Sequence, residues 1–500
     1  MLTNIITLED IYKKYTQGDE AERVKRCIAD FEKKGFRFFF LIGDADNFPV
    51  RFTKTDRNVT EAYNTAFYPT DLYYACLYRQ DGSFDDWNAN KNQYYGELQG
   101  HPPNTGIINV DQVNMIPTVA VGRAPVSTKQ ELERYVNKII SYEIQAFNAQ
   151  WTKNALLLAT HDWHNNACNV QEDNAKKYLK GYTSTLLFSA GCPCSGAGNL
   201  NASALTSWFN KGVGLVAYIG HGSASGLAIP NSPWGTANIP QLKNTKLPIM
   251  IVNGCETALF TGMLPPYGKY VDINKVKHNG TSGGEIFTSP PPQPHCLQNW
   301  YDPDSDLATQ LTVGTDAGVI AYIGGVTGMQ FYTPLVYFLK GLPSCQYLGD
   351  AWKYMVQHYY QDQQIPSYLN QPNWGAVAAN IQGWIVMLFG DPSLRIGGVK
   401  KMEFRGKTGK VMHLRVNDLN HQWGSGNDIL RTEVIVQLDT PPKDEAFGFE
   451  LRADDPNLPS RFAMLSVLRD AYLHKFTISL AFDIEPGKKC GHLRRIDLSQ

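Results

Sequence analysis

Five hundred residues carry 46 Lys and Arg against 47 Asp and Glu, a net charge of −1 with histidine neutral. That balance excludes a strongly basic nucleic-acid binder on electrostatic grounds, and no stretch approaches the ~18 apolar residues of a membrane span. With 43% hydrophobic and 12% aromatic residues there is material for large cores, enough for about two to four domains at roughly 150 residues each.

The first fifteen residues, MLTNIITLEDIYKKY, lack the basic start and long apolar centre of a signal peptide. Thr7 and Asp10 form a capping pair for a helix from Leu8 to Tyr15. A second helix is expected from Glu20 to Lys34, with Val24, Cys27, Ile28 and Phe31 on one face and Gly35 as its stop. Phe36 to Ile42 then reads as a buried strand. Between Asp81 and Glu97 the chain runs DGSFDDWNANKNQYYGE. Asp86, Asn88, Asn90, Asn92 and Glu97 alternate oxygen-bearing side chains there, the pattern of a calcium loop with its first and last acids eleven apart. Lys91 stands where such a loop has glycine. The competing reading is a polar loop of Asx turns.

The segment IPTVAVGRAPVSTKQELERYVNKIISYE is a strand followed by a long helix. Leu132, Tyr135, Val136, Ile139 and Ile140 recur at i, i+3, i+4 spacing, which assigns them to the core face. From Asn154 onward a second series begins, with strands near 154–160, 183–189, 214–220, 248–254 and 317–323. Helices fall between them, among them Gln171–Lys180 and Ala202–Asn210. Strands alternating with helices mean a mostly parallel sheet covered on both faces.

Two of these strands end in chemistry. Leu215 to Ile219 is a short apolar run that stops at Gly220-His221-Gly222-Ser223, and Pro248 to Val252 is another that stops at Asn253-Gly254-Cys255-Glu256. In an open α/β sheet the carboxyl ends of the strands are where ligands and catalytic groups gather. Adjacent parallel strands would hold this imidazole and this thiol side by side, and the flanking glycines let backbone or substrate come close. Taken singly, a buried cysteine is more often a small hydrophobe and a histidine a satisfied polar group. It is the matched endings that favour a Cys/His nucleophile pair. There are nine cysteines, an odd number, so at least one thiol is free or paired between chains. Cys192 and Cys194 flank Pro193 with no second pair at zinc-site spacing, so no zinc site is expected, and the redox compartment is left open.

GHGSASG followed by a strand ending in cysteine resembles the caspase-like cysteine peptidases, and among them the gingipain family. LIGDADNFPVR, the strand and helix from Ile116, GVIAYIGG (318–325) and FGDPSLRI (389–396) resemble that family's landmarks in the same order, from about residue 5 to 397. The resemblance implies an α/β fold, a caspase-like three-layer sandwich with a mostly parallel sheet. Its subdomains would span 1–150 and 151–398, with an immunoglobulin-like β-sandwich at 399–500. Short alternating runs such as VMHLRV, TEVIVQL and FTISLAF agree with a β-rich unit there, which reads most simply as a packing module without chemistry.

The resemblance also implies a cysteine endopeptidase acting on a protein or peptide substrate. Cys255 would be the nucleophile, His221 its base, and Asp162, just past the strand LLLAT, the carboxylate that orients the imidazole. An ordinary loop aspartate is the alternative at that position. The N–H groups of Gly222 and Cys255 are the implied oxyanion donors, a device worth ~3 kcal/mol of barrier. Asn169, Gly325 and Gln330 would border the substrate pocket. Arginine-specific members carry an acid at the start of the helix where this chain has Asn165-Asn166-Ala167-Cys168-Asn169, so arginine specificity is not expected. Family members also bind structural calcium, which makes Ca2+ the expected cofactor of the 86–97 loop. The chain begins at what would be the family's second strand. The resemblance suggests a secreted or cell-surface protein although no signal peptide is present. Two other classes fit the same residues: a non-catalytic binding or adhesion protein on this fold, and a sortase-like transpeptidase.

Overall fold

The computed structural model describes all residues except 1–3, 57–64, 100–107, 162–165, 193–195, 300–305, 330, 363–373, 400–404, 420, 454, 456, 485–487 and 499–500. The chain divides into two compact units, Ile6–Val399 and a second made of Lys400–Gln500 with Met1–Ile5.

The larger unit opens with helices α1 (Leu8–Lys14) and α2 (Glu20–Glu32), capped by the Thr7 and Asp19 side chains. Strand β1 (Phe38–Ile42) follows, then β2 (Arg51–Asp56) and β3 (Thr65–Thr70), which pair as an antiparallel hairpin outside the main sheet. After β4 (Ala120–Ala124) comes the long helix α3 (Lys129–Gln145), opened by a capping box of Thr128 and Glu131. The second series then runs β5 (Asn154–Ala159), α4 (Ala167–Lys177), β6 (Thr183–Phe188), the short β7 (Gly198–Asn199), α5 (Ala202–Lys211), β8 (Leu215–Ile219) and β9 (Ile249–Asn253). It closes with α6 (Leu307–Thr312), β10 (Ala321–Gly325), α7 (Thr333–Gly341), α8 (Leu348–Asp362) and β11 (Val386–Phe389).

Nine strands form one sheet in the order β1-β4-β11-β10-β9-β8-β5-β6-β7. Every pairing is parallel except β10 with β11. Two parallel runs of opposite direction therefore meet at that junction, and the sheet is continuous across residue 150. The central strands are buried along their whole length, which is why they read as unbroken apolar runs and not as alternating ones. Helix α4 starts at Ala167, four residues ahead of the expected Gln171.

Helix α3 corrects one expectation. Tyr135, Lys138 and Tyr142 are its buried residues, whereas Val136 and Ile140, assigned to the core from their spacing, are 40% and 54% exposed. The buried face is turned by roughly one residue because Lys138 goes inside. Its ammonium donates to the carbonyls of Leu311, Thr312, Thr315 and Ala317, which crowd the carboxyl end of α6. These carbonyls satisfy its donors inside the core, where burial lowers its pKa to about 7.

In the smaller unit, β12 (Arg405–Val416), β13 (Val434–Leu438), β14 (Ala446–Phe449), β15 (Thr477–Asp483) and β16 (Cys490–Leu498) close into a barrel in the order β12-β13-β14-β16-β15. The β-rich character expected for 399–500 is present. The two inner faces that a sandwich would pack together are here opposite walls of one closed sheet. Helix α9 (Leu458–His474) is an addition that the sequence reading did not contain. Leu468 and Ala471 are its buried residues, set among Val436, Phe447, Leu480 and Phe482. Phe462 and Leu473 on the same helix are more than half exposed, so its apolar residues trace no single stripe.

Candidate active site

The register of the sheet brings the two chemical strand endings together. Asn253 of β9 stands opposite Ile219 of β8, and Ile219 opposite Ala159 of β5. The ladder continues past the strand ends, with Gly220 N–H donating to Asn253 O at 3.1 Å and Thr160 N–H to Ile219 O at 3.0 Å. One step further along, His221 and Cys255 follow on neighbouring strands at the same edge.

Glycine is required for this closeness. A Cβ at Gly222 would lie 2.6 Å from Thr257 Cγ2 and 3.0 Å from the Cys255 carbonyl oxygen. One at Gly220 would meet Thr160 Oγ1 at 2.3 Å and Tyr218 Oη at 2.4 Å. The His221 loop is pinned from beneath by Tyr218 Oη, which donates to the His221 carbonyl at 2.8 Å, and by Ala228 N–H on the same oxygen at 3.0 Å. The start of α6 joins both loops: Leu307 N–H donates to Ala224 O and Ala308 N–H to Thr257 O.

Cys255 is half-buried and its neighbour Glu256 has φ of 60°, a left-handed conformation that non-glycine residues seldom adopt. The segment after β10 wraps the cysteine turn. Ala258 N–H donates to Gly325 O, Glu256 N–H to Thr327 O, and Met329 N–H to Cys255 Sγ at 3.3 Å. Burial pushes the thiol up from its ordinary value, and the Met329 N–H works against that by favouring the thiolate. His221 is exposed on the open side.

The remaining expected residues fare differently. Gly325 closes β10 beside Met329, where a Cβ would lie 2.5 Å from Met329 Sδ. Asn169 is exposed on α4, its amide donating to Asn166 Oδ1 at 3.2 Å. Asp162 and Gln330 lie outside the described residues. A disulfide joins Cys168 of α4 to Cys192 in the loop after β6, and bracing by Met329, Thr257 and Tyr218 was not foreseen. Backbone donors such as Met329 N–H leave no mark in a sequence.

The 86–97 loop does not fit a divalent ion. Asp86 is paired with Arg79 at 2.9 Å and with Lys91, the residue in the glycine position. Glu97 takes Lys54 Nζ on one oxygen at 3.0 Å and the Asn90 and Asn92 amides on the other at 2.6 Å each. Asn92 Oδ1 accepts from Tyr94 N–H, and the Asn88 amide donates to Asn92 O. The two acids that would hold calcium are thus each neutralised by a cation of the chain itself. Lys91 still turns the loop with φ of 58°.

Comparison with known proteins decides the family. The profile of peptidase family C25 matches residues 1–292, more than half of the chain. The chain belongs to that family. Gingipain R2 of Porphyromonas gingivalis is 23% identical over 278 residues, covering 53% of this chain and 30% of that protein. Gingipain R1 of Porphyromonas gingivalis is 23% identical over the same length and is covered to 22%. The chain therefore spans less than a third of these C25 relatives. A solved structure described as the Arg-specific cysteine proteinase gingipain R (RgpB) aligns with a TM-score of 0.48 at 17% identity, over 87% of this chain and 77% of that one. The family is one of cysteine peptidases, as the sequence resemblance implied. Among the described residues, no helix is long and apolar enough to cross a membrane.

Proposed function

We propose that this C25 member is a cysteine endopeptidase in which Cys255 is the nucleophile and His221 its proton acceptor. The observation that carries the reading is the interlock of the two loops, where only glycine at 222 fits against the Cys255 carbonyl. His221 takes the thiol proton as Cys255 Sγ forms a bond to the scissile carbonyl carbon. The carbonyl oxygen, now negative, is held by the N–H groups of Gly222 and Cys255. As the C–N bond breaks, His221 returns the proton to the departing amine. Water then attacks the thioester and restores the thiol. Asp162 would hold the imidazole in the productive tautomer.

A free thiol is largely protonated at neutral pH, and here burial pushes it higher still. The base is therefore essential. At the start of α4, Asn169 and Asn166 offer amides where a guanidinium would call for a carboxylate, which argues against a preference for arginine. The Cys168–Cys192 disulfide suits an oxidising compartment, consistent with a secreted or surface protein.

Cleavage of a peptide library with the wild type, Cys255→Ala and His221→Ala tests this. Both variants should lose activity by comparable, non-additive factors, and Asp162→Asn should lose less. Hydrolysis that persists in purified Cys255→Ala overturns the assignment.

A further inference from the structure

Glu20, His295 and Cys296 meet in space although more than 270 residues separate the first from the others, a juxtaposition that no local spacing could reveal. Each offers one ligand atom, and the three atoms lie within 4.8 Å of one another. We propose that they form a binding site for a thiophilic divalent cation, zinc foremost, which shares no residue with the Cys255 site.

The spacing suits the ion. Tetrahedral zinc held at ~2.3 Å from sulfur and ~2.0 Å from oxygen separates those two ligand atoms by about 3.5 Å. Cys296 Sγ stands 3.5 Å from Glu20 Oε2. His295 Nε2 is 3.8 Å from the same oxygen, so a small inward turn of the ring completes three corners. The donor set of thiolate, imidazole and carboxylate is one that zinc accepts and that calcium or magnesium does not.

The second layer of contacts is in place as well. His295 Nδ1 lies 3.2 Å from the Leu297 carbonyl and 3.1 Å from the Leu297 N–H, which donates to it; a metal on Nε2 selects the tautomer protonated at Nδ1, for which the carbonyl is the acceptor. The segment carrying both ligands is fixed by its backbone: His295 N–H donates to Val271 O, Val50 N–H to Cys296 O, and Gln298 N–H to Ala45 O. Glu20 opens α2, and the Ala21 N–H in the same first turn faces the Cys296 sulfur. Arg51, a cation close to the cluster, is already committed in a two-pronged pair with Asp19. Among the described residues no Lys or Arg pairs with Glu20. Three protein ligands leave a fourth position for water. Tyr12 Oη is buried without a hydrogen-bond partner and lies within electrostatic range of Cys296 and Glu20. On binding, the thiol proton is released and sulfur donates its lone pair, with no change of oxidation state.

The test uses the full chain as Cys255→Ala, so that the catalytic thiol cannot bind the probe. Cobalt(II) chloride should give a thiolate-to-cobalt charge-transfer band and tetrahedral d–d bands at one equivalent, and zinc chloride should displace them. Zinc should also raise the melting temperature. Adding Cys296→Ser should abolish the charge-transfer band, and His295→Gln should weaken zinc binding more than ~100-fold, beyond what loss of a supporting contact costs. No band in Cys255→Ala overturns the proposal, whatever the other variants do. So does a band that survives Cys296→Ser or is untouched by His295→Gln. If Cys296→Ser does not fold, Glu20→Gln with a shifted cobalt spectrum supports the site and an unshifted one refutes it.

Discussion

Met329 donates its backbone N–H to Cys255 Sγ at 3.3 Å, so the segment that follows β10 also touches the sulfur that would react. A hydrogen bond to a charged group is worth about 1.5–3 kcal/mol, which equals roughly one to two pH units on the thiol. Side-chain chemistry at 329 should therefore matter little and the N–H a great deal. Met329→Leu should alkylate at Cys255 with the wild-type pH profile. Met329→Pro, with the fold checked by circular dichroism, should move the midpoint up by about one to two units. Identical profiles would remove this contact from the account of the thiolate.

Gly222→Ala tests the interlock. The added methyl meets Thr257 Cγ2 at 2.6 Å and the Cys255 carbonyl at 3.0 Å, so the histidine loop has to withdraw. A displacement near 1 Å costs about 100-fold in kcat, while the melting temperature should change little because the loop lies at the surface. Thr257→Ser takes away the methyl that clashes first and should restore part of the rate in the double variant. Equal rates in Gly222→Ala with and without Thr257→Ser would show that the two loops are not coupled there.

What could be read from the sequence follows from burial. Strands covered on both faces must be apolar throughout, so Leu215–Ile219 and Ile249–Asn253 announce themselves, and parallel pairing then dictates that His221 and Cys255 share an edge. Helices are harder. Val136 and Ile140 obey core spacing yet face outward, because the long Lys138 side chain finds four carbonyls inside. The calcium pattern at Asp86–Glu97 is correct in its oxygens. What the pattern does not contain is Lys54, which reaches Glu97 from a strand more than forty residues earlier. The Glu20–His295–Cys296 cluster is the extreme of the same problem.

The lysine-filled loop makes a stability prediction. Lys54 and Glu97 are nearly buried, with side chains 12% and 4% exposed. Removing one partner of such a pair strands the other and costs about 3–5 kcal/mol; the two amides still on Glu97 place the expected loss at the lower end. Lys54→Met should lower the denaturation midpoint accordingly. In a Cys296→Ser background, where the other cation site is disabled, millimolar calcium and chelator should leave the wild-type loop's melting temperature unchanged. A calcium-dependent rise there would return the loop to a metal-binding role.

Asp111 makes the last prediction, one of pH. Its carboxylate receives the N–H groups of Ala89 and Glu97, yet burial outweighs them and pushes its pKa up to about 6, with the neighbouring Glu97 charge adding to the rise. Between about pH 4 and 6 the folded chain therefore keeps a proton on Asp111 that the unfolded chain has released. Stability from this group is fully present below pH 4 and is lost as pH rises through 6, by on the order of 2–3 kcal/mol. Asp19, Asp86 and Glu285 are held below their ordinary values and act in the opposite sense, so the Asp111 contribution is isolated by difference. Urea denaturation of wild type and Asp111→Asn across pH 4–7 should give a gap that changes over this window and is flat above it. A gap independent of pH would mean that Asp111 is ionised throughout and that its backbone donors outweigh its burial.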